Sequence, residues 1–265
     1  ARYGAEPPAT IKEIYTSFVA DTAMLDVFLQ TRPAVVSFHF GLPSADVIAR
    51  LKTTGIVLFS SATNLQEAQA AAKAGVDAIV AQGYEAGGHR GVFDPDAPDS
   101  RMRILPLTKL LVEKIALPVI AAGGIMDGAD IAAALDAGAQ AAQLGTAFVG
   151  CPESSADTYY RDAFFAPNAT TEMTSLISGR PARCLQNKFI ALKDAELKGL
   201  TIPDYPVTYD AGKALAIAAK AKGEGGFGAQ WAGEGVVRAR AMPAAELVKV
   251  LADELTAATG KAAAV

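Results

Sequence analysis

The chain has two histidines, and each sits close to the end of an apolar run. His39 closes AVVSFHF at residues 34–40, and His89 lies six residues beyond VDAIVAQG at 76–83. An imidazole changes charge near neutral pH, so either one is a candidate proton donor or acceptor, although a histidine also serves as a plain hydrogen-bonding residue. His89 stands in the segment GYEAGGHRG with Gly83, Gly87, Gly88 and Gly91 around it. Backbone without side chains can approach a planar ligand closely, and the same glycines can equally build ordinary turns. Two further glycine-bearing segments follow, AAGGI at 121–125 and LGTAF at 144–148. Backbone N–H groups at such positions hold a phosphate without any cationic side chain, or else form a pair of tight turns.

The elements that would position these residues are legible as alternating runs. AVVSFHF, GIVLFSS (55–61), VDAIVAQG, LPVIAAGG (117–124) and AQAAQLGT (139–146) read as buried parallel strands, each followed by a helical stretch. Asn64 offers an N-cap oxygen and Gly75 a left-handed stop to the helix between them, and Asp127 and Gly138 bracket the next in the same way. The C-terminal ends of such strands are where α/β folds place their active groups, which is where both of these glycine-bearing segments fall. No Walker or GxGxxG fingerprint stands in its required setting, so a bound phosphate would belong to a ligand such as FMN.

Ahead of the first strand, PATIKEIYTSFVADTAMLDVFLQT reads as a helix. After Gly150 the rhythm changes to PESSADTYYRDAFF, a loop SGRPARCLQNK, a helix near 189–199, a second helix after TIPDYPV and the glycine-rich GEGGFGAQWAGEG. The fold expected is α/β: a TIM (β/α)8 barrel lacking its first three βα units, with a small, mostly helical second domain. Residues 1–150 and 236–265 would form the barrel part, the last of them as an amphipathic closing helix, and 151–235 the small domain. An open set of five strands exposes unpaired edges. The missing strands are therefore expected from a longer protein or from another chain, a homodimer included.

Composition removes several function classes. With 24 basic and 28 acidic residues and no basic cluster, the electrostatic footprint of a nucleic-acid binder is missing. Cys151 and Cys184 form no metal-ligand spacing, the two histidines have no acidic partner at such spacing, and no metal site is expected. No apolar run approaches a membrane span, and the start lacks the order of a signal peptide, which together with reduced thiols makes a cytoplasmic protein the expectation.

PAVVSFHFGLP, GYEAGGHRGVF, PVIAAGGIMDG, AAQLGTAFVGCPES and SGRPARCLQN, in that order, resemble the nitronate monooxygenases once called 2-nitropropane dioxygenases. FMN-dependent enoyl-acyl-carrier-protein reductases share the EAGGH and AAGGI segments, whereas SFHFG, SGRPAR and the tyrosine-rich tail favour the former. The resemblance implies FMN as cofactor and a nitronate such as propionate 3-nitronate, with O2, as small-molecule partners. The products would be a carbonyl compound and nitrite. It implies His89 as the catalytic residue, acting as a base or by stabilising the anion, and His39, Tyr160, Tyr205, Tyr209 and Lys213 on the substrate side. Gln82, Gly87, Gly88, Ala122, Gly123, Gly124, Gln143, Gly145 and Thr146 would be flavin contacts. The tyrosines and Lys213 have packing and solvated surface as their plain alternatives, and Trp231 reads as a packing anchor. The family's Pro-Met strand and a later Asn-bearing strand have no counterpart here. An NAD(P)H-dependent enoyl or quinone reductase is the alternative enzyme, and a remnant that binds a phosphorylated ligand or a partner protein the alternative outside enzymes.

Overall fold

The structure, a computed structural model, describes residues 9–10, 14–192 and 199–260. All five apolar runs form strands: β1 (Val35–Phe38), β2 (Val57–Ala62), β3 (Ala78–Gln82), β5 (Val119–Ala122) and β6 (Ala141–Gln143). They lie side by side in the order β1-β2-β3-β5-β6 and every pairing is parallel. The helices between them are α2 (Ala45–Thr53), α3 (Leu65–Ala74), α4 (Ile104–Lys114) and α5 (Gly128–Asp136). Asn64 accepts the Glu67 N–H at 2.9 Å and Asp127 accepts the Asp130 N–H at 2.9 Å, so both caps form as their residue types require. Gly75 ends α3 with φ 94°, a conformation that suits glycine.

The in-register pairing divides the strand side chains between two faces. Val36, Phe38, Leu58, Ala62, Ile79, Ala81, Val119 and Ala121 point to one of them and form the main core with Leu51, Ala68, Leu107 and Leu111 of the helices. Val35, Ser37, Val57, Phe59, Gln82, Ala122 and Gln143 alternate onto the opposite face. There Val35 and Val57, 44% and 40% exposed, contrast with Leu58, which has no exposed surface.

The chain divides into two compact units. One comprises Thr16–Glu85, Gly91–Leu144 and Val248–Val265, the other Ala1–Tyr15, Ala86–Arg90 and Gly145–Leu247, as far as these are described. His89 thus groups with the later part of the chain. That second unit holds α6 (Thr146–Val149), α7 (Thr158–Phe164) and α8 (Val207–Lys220), and also a three-stranded antiparallel sheet in the order β4-β8-β7: Gly88–His89, Ala182–Leu185 and Thr171–Thr174. Its β8 replaces the loop expected over SGRPARCLQNK. All four residues of β8 are buried, which conceals the alternation that marks a strand, and Arg183 tolerates burial because Glu234 neutralises it at 3.1 Å.

Of the long N-terminal helix expected over residues 8–31, residues 8 and 11–13 lie outside the described residues, and the described remainder is helical only from Thr22. Helix α1 (Thr22–Thr31) starts afresh where Asp21 accepts the Met24 N–H at 2.9 Å. Most of the helix expected near 189–199 lies outside the described residues. The closing helix α9 (Ala244–Thr259) forms as expected, and its Glu254 accepts the Gly128 N–H at the start of α5 at 2.9 Å. No described helix is long and apolar enough to cross a membrane.

Candidate active site

His89 is held by a strand of only two residues. Its pairing with Ala182 of β8, and the Arg90 N–H donated to Pro181 O at 2.8 Å, fix the backbone on both sides of the imidazole. Gly87 permits this: a Cβ there would lie 2.5 Å from the Gly233 nitrogen and 2.6 Å from the Ala232 carbonyl carbon, so this glycine serves close packing of two backbone segments. Around the ring stand Trp231, Tyr205 and Tyr209, with centroids 5.1, 5.3 and 6.2 Å away. The Nε2 atom lies 2.9 Å from Ser178 Oγ.

Lys213 joins the same cluster. Its ammonium donates to Tyr15 Oη at 2.5 Å and lies 4.7 and 4.9 Å from the ring centroids of Tyr15 and Tyr209, where the ring faces attract a cation. The bond to Tyr15 raises its pKa, so Lys213 remains charged well into the alkaline range. Burial raises the Tyr205 and Tyr209 phenols, which keeps both as neutral donors. Tyr160 is placed differently. Its hydroxyl donates to Trp231 O, and its ring packs with Phe164, Leu185, Ala232 and Val236, so it braces the residue that flanks His89.

The parallel sheet presents a second group of residues. In register, Gln82 of β3, Ala122 of β5 and Gln143 of β6 form one row across the C-terminal strand ends, on the face opposite the helix-packed core. His39 follows β1 on that face, with Nδ1 3.0 Å from Ser61 Oγ. A Cβ on Gly91 would come within 2.7 Å of His39 Cε1, so this glycine makes room for the imidazole. Gln82 Oε1 accepts the Gly91 N–H at 2.7 Å, and buried Glu67 accepts from Phe93 N at 2.9 Å, Thr63 N at 2.6 Å and Thr63 Oγ1 at 2.7 Å. Buried Glu85 takes the Ile104 N–H at 3.0 Å and the Arg103 guanidinium at 3.1 Å.

Comparison with known proteins places this arrangement. The family model for nitronate monooxygenase matches residues 6–254. The chain belongs to the nitronate monooxygenase family. A nitronate monooxygenase of Paraburkholderia phytofirmans is 63% identical over 96% of this chain and 69% of its own length. One from Pseudomonas aeruginosa is 52% identical over 96% and 73% of the two chains. Among solved structures, the nitroalkane oxidase of Streptomyces ansochromogenes superposes with a TM-score of 0.84 at 42% identity, covering 90% of this chain and 69% of that one.

Within a nitronate monooxygenase, oxidation of an alkyl nitronate with O2 to a carbonyl compound and nitrite is the activity the residues must serve. Sequence reasoning singled out His89, Tyr205, Tyr209 and Lys213, and the fold gathers these four into one cluster. It overlooked Tyr15, nearly two hundred positions from Lys213, and Ser178, which stands inside the motif SGRPAR and could have been picked out as its one hydroxyl. Trp231 is more than an anchor, since its indole lies against the imidazole.

Proposed function

We propose that His89 is the catalytic residue of a flavin-dependent nitronate oxidation and that FMN is the cofactor. The observation that carries this reading is the setting of the imidazole. An aromatic enclosure of Tyr205, Tyr209 and Trp231 surrounds it, and the Lys213 ammonium lies over the faces of two tyrosines of the same cluster. A nitronate carries a full negative charge. Lys213 attracts it, the neutral phenols of Tyr205 and Tyr209 donate to its oxygens, and the aromatic rings keep water away, which strengthens each of these interactions. His39 is a further residue proposed to meet the substrate, whereas Tyr160 acts from behind by bracing Trp231. Towards a neutral nitroalkane the imidazole acts as base at the α-carbon; towards a nitronate it stabilises the anion.

In the unit of the parallel sheet Gln82, Ala122, Gly123, Gly124 and Gln143 are the residues proposed as flavin contacts, and in the other unit Gly87, Gly88, Gly145 and Thr146 are. Their local geometry fits this role. Gln82 Oε1 accepts the Gly91 N–H, which fixes this side chain at the end of β3. No atom lies within 4 Å of a Cβ built on Gly145, and Gly124 has φ 70°. Thr146 Oγ1 accepts from Gly233 N at 2.9 Å and keeps its own proton to donate to an anion. When bound, FMN supplies the electron transfer to O2 that the side chains cannot perform. The parallel sheet, with its strand-end residues on one face, supports reading it as five units of a (β/α)8 barrel, with 151–235 as the smaller substrate-side domain.

The test uses FMN-loaded chain and follows nitrite release. His89→Asn should lower turnover of a neutral nitroalkane by about a hundredfold or more and that of a preformed nitronate much less. Undiminished turnover of both substrates, or a chain that binds no FMN on titration, would overturn the proposal.

A further inference from the structure

Two motifs of the sequence, SGRPARCLQN and the glycine-rich GEGGFGAQWAGEG, come together beside His89. Strand β7 pairs with β8 along its whole length, so the opposite edge of β8 is the one that carries β4. On that edge Ala182 pairs with His89, and two residues further along Cys184 bridges to Trp231. Residues 226–232 then run antiparallel to 183–189. Ala232 N donates to Arg183 O at 3.3 Å, Leu185 N to Gln230 O at 2.8 Å and Phe189 N to Gly226 O at 3.1 Å. One strand edge therefore holds both the imidazole and the indole whose ring centroid lies 5.1 Å from it.

The side chain of Asn187 ties the two segments together between those backbone bonds. Its Oδ1 accepts the Phe189 N–H at 3.0 Å and the Ile190 N–H at 3.2 Å, and its NH2 donates to Gly228 O and to Gln230 Oε1, each at 3.0 Å. Backbone groups have fixed polarity, so the amide can stand only one way round, with its oxygen on the two N–H groups and its nitrogen on the carbonyl. Trp231 follows directly on buried Gln230. Its carbonyl accepts the Tyr160 hydroxyl, and its indole N–H, which can only donate, goes to the Tyr209 hydroxyl. We propose that Asn187 is a positioning residue for the nitronate oxidation: by tying residues 228–230 to the turn after β8 it sets the Trp231 indole, and with it the wall beside His89 and the direction of the Tyr209 phenol. The residue type separates two roles. An aspartate would still accept from Phe189 and Ile190 and so close the local turn. Against Gly228 O it would set a lone pair where a proton is needed; Gln230 can turn its amide to answer that change, but a backbone carbonyl cannot.

This inference rests on the reading of His89 as catalytic, but its first measurement needs no turnover. Trp231 is the sole tryptophan, so indole emission reports this one position. Acidification charges an imidazole, and a cationic imidazole quenches an indole beside it. Emission of the unsubstituted chain should therefore fall on acidification, and His89→Asn should abolish the fall. Asn187→Asp, shown to be folded by circular dichroism, should emit further to the red, be quenched more readily by acrylamide and lose most of the fall on acidification. Loaded with FMN, it should turn over a neutral nitroalkane about tenfold or more slowly. Gln230→Met removes one acceptor of the Asn187 amide and leaves the 187–190 turn as it is, so it should move the same signals in the same direction and serves where Asn187→Asp does not fold. Unchanged emission and acrylamide quenching in either folded variant would overturn the proposal, and so would undiminished turnover in a variant whose emission has moved. Full activity of His89→Asn would instead remove the catalytic reading of His89, and the emission of the other variants would still decide whether Asn187 sets the indole.

Discussion

Gly91 has no room for a methyl group, because a Cβ would come within 2.7 Å of His39 Cε1 and 3.3 Å of Ser61 Cβ. The imidazole cannot yield without stretching its hydrogen bond to Ser61 Oγ. Gly91→Ala should therefore cost about 1–3 kcal/mol of stability in urea unfolding, the usual result of overpacking, and a cost near zero would show that His39 moves freely. At Cys184 the relevant quantity is proton affinity. Burial pushes this thiol up to about 12 from an ordinary 9.0, so the folded chain holds the proton more tightly than the unfolded chain does. The sign follows directly: below pH 9 the thiol is neutral in both states, and above it the unfolded state alone gains by ionising, so the folded state loses stability progressively from about pH 9 towards 12. Burial raises the Tyr160 phenol as well, which adds to the alkaline loss. A thiol held so far above neutral pH also leaves Cys184 unreactive at pH 7. Mass spectrometry after iodoacetamide treatment should find it unlabelled in the folded chain and labelled once urea unfolds it; rapid labelling of folded protein would contradict its placement.

At the scale of elements, helix α4 depends on a residue that does not belong to it. Its first position is preceded by Arg103, which makes no side-chain cap, and the buried Ile104 N–H is instead taken by Glu85 from the loop after β3. A carboxylate at a helix N-terminus also faces the positive end of the dipole. Glu85→Ala should accelerate amide exchange in the first turn of α4 and lower stability by about 1–2 kcal/mol, the range of a lost N-cap. Exchange unchanged at Ile104 would sink that account. This dependence also shows what could be read in the sequence and what could not. Caps made by neighbours, such as Asn64 on α3 and Asp127 on α5, are visible because donor and acceptor are three residues apart. The Glu85 cap spans 19 residues and leaves no local pattern. The five parallel strands are visible because they are buried on one face by helices and run as apolar stretches. Strand β4 has two residues and therefore no periodicity, and β8 carries Arg183 in its middle. Accordingly His89 was found as a residue, while the antiparallel sheet that aims it was not.

Across the whole molecule, the parallel sheet is used asymmetrically. Its helix-facing side carries the core, and its other side carries the polar strand-end row of Gln82 and Gln143, with Val35 and Val57 nearly half exposed further down the strands. The core residues and the residues proposed for cofactor binding thus lie on opposite faces of the same five strands. Two adjacent residues of β2 put this to a quantitative test, since Val57 and Leu58 share a backbone environment and differ in the face they point to. Leu58→Ala removes a fully buried side chain and leaves a cavity among Leu51, Ile79 and their neighbours, so it should cost about 2–5 kcal/mol. Val57→Ala removes two methyl carbons from a side chain that is 40% exposed, and should cost no more than about 1 kcal/mol. Urea titration followed by far-ultraviolet circular dichroism gives both values on one scale, and Trp231, the sole tryptophan, provides a second signal from the unit that contains His89. Equal costs at the two positions would mean that the Val57 side is packed in solution as firmly as the Leu58 side. The division of the sheet into a stabilising face and a chemical face would then fail.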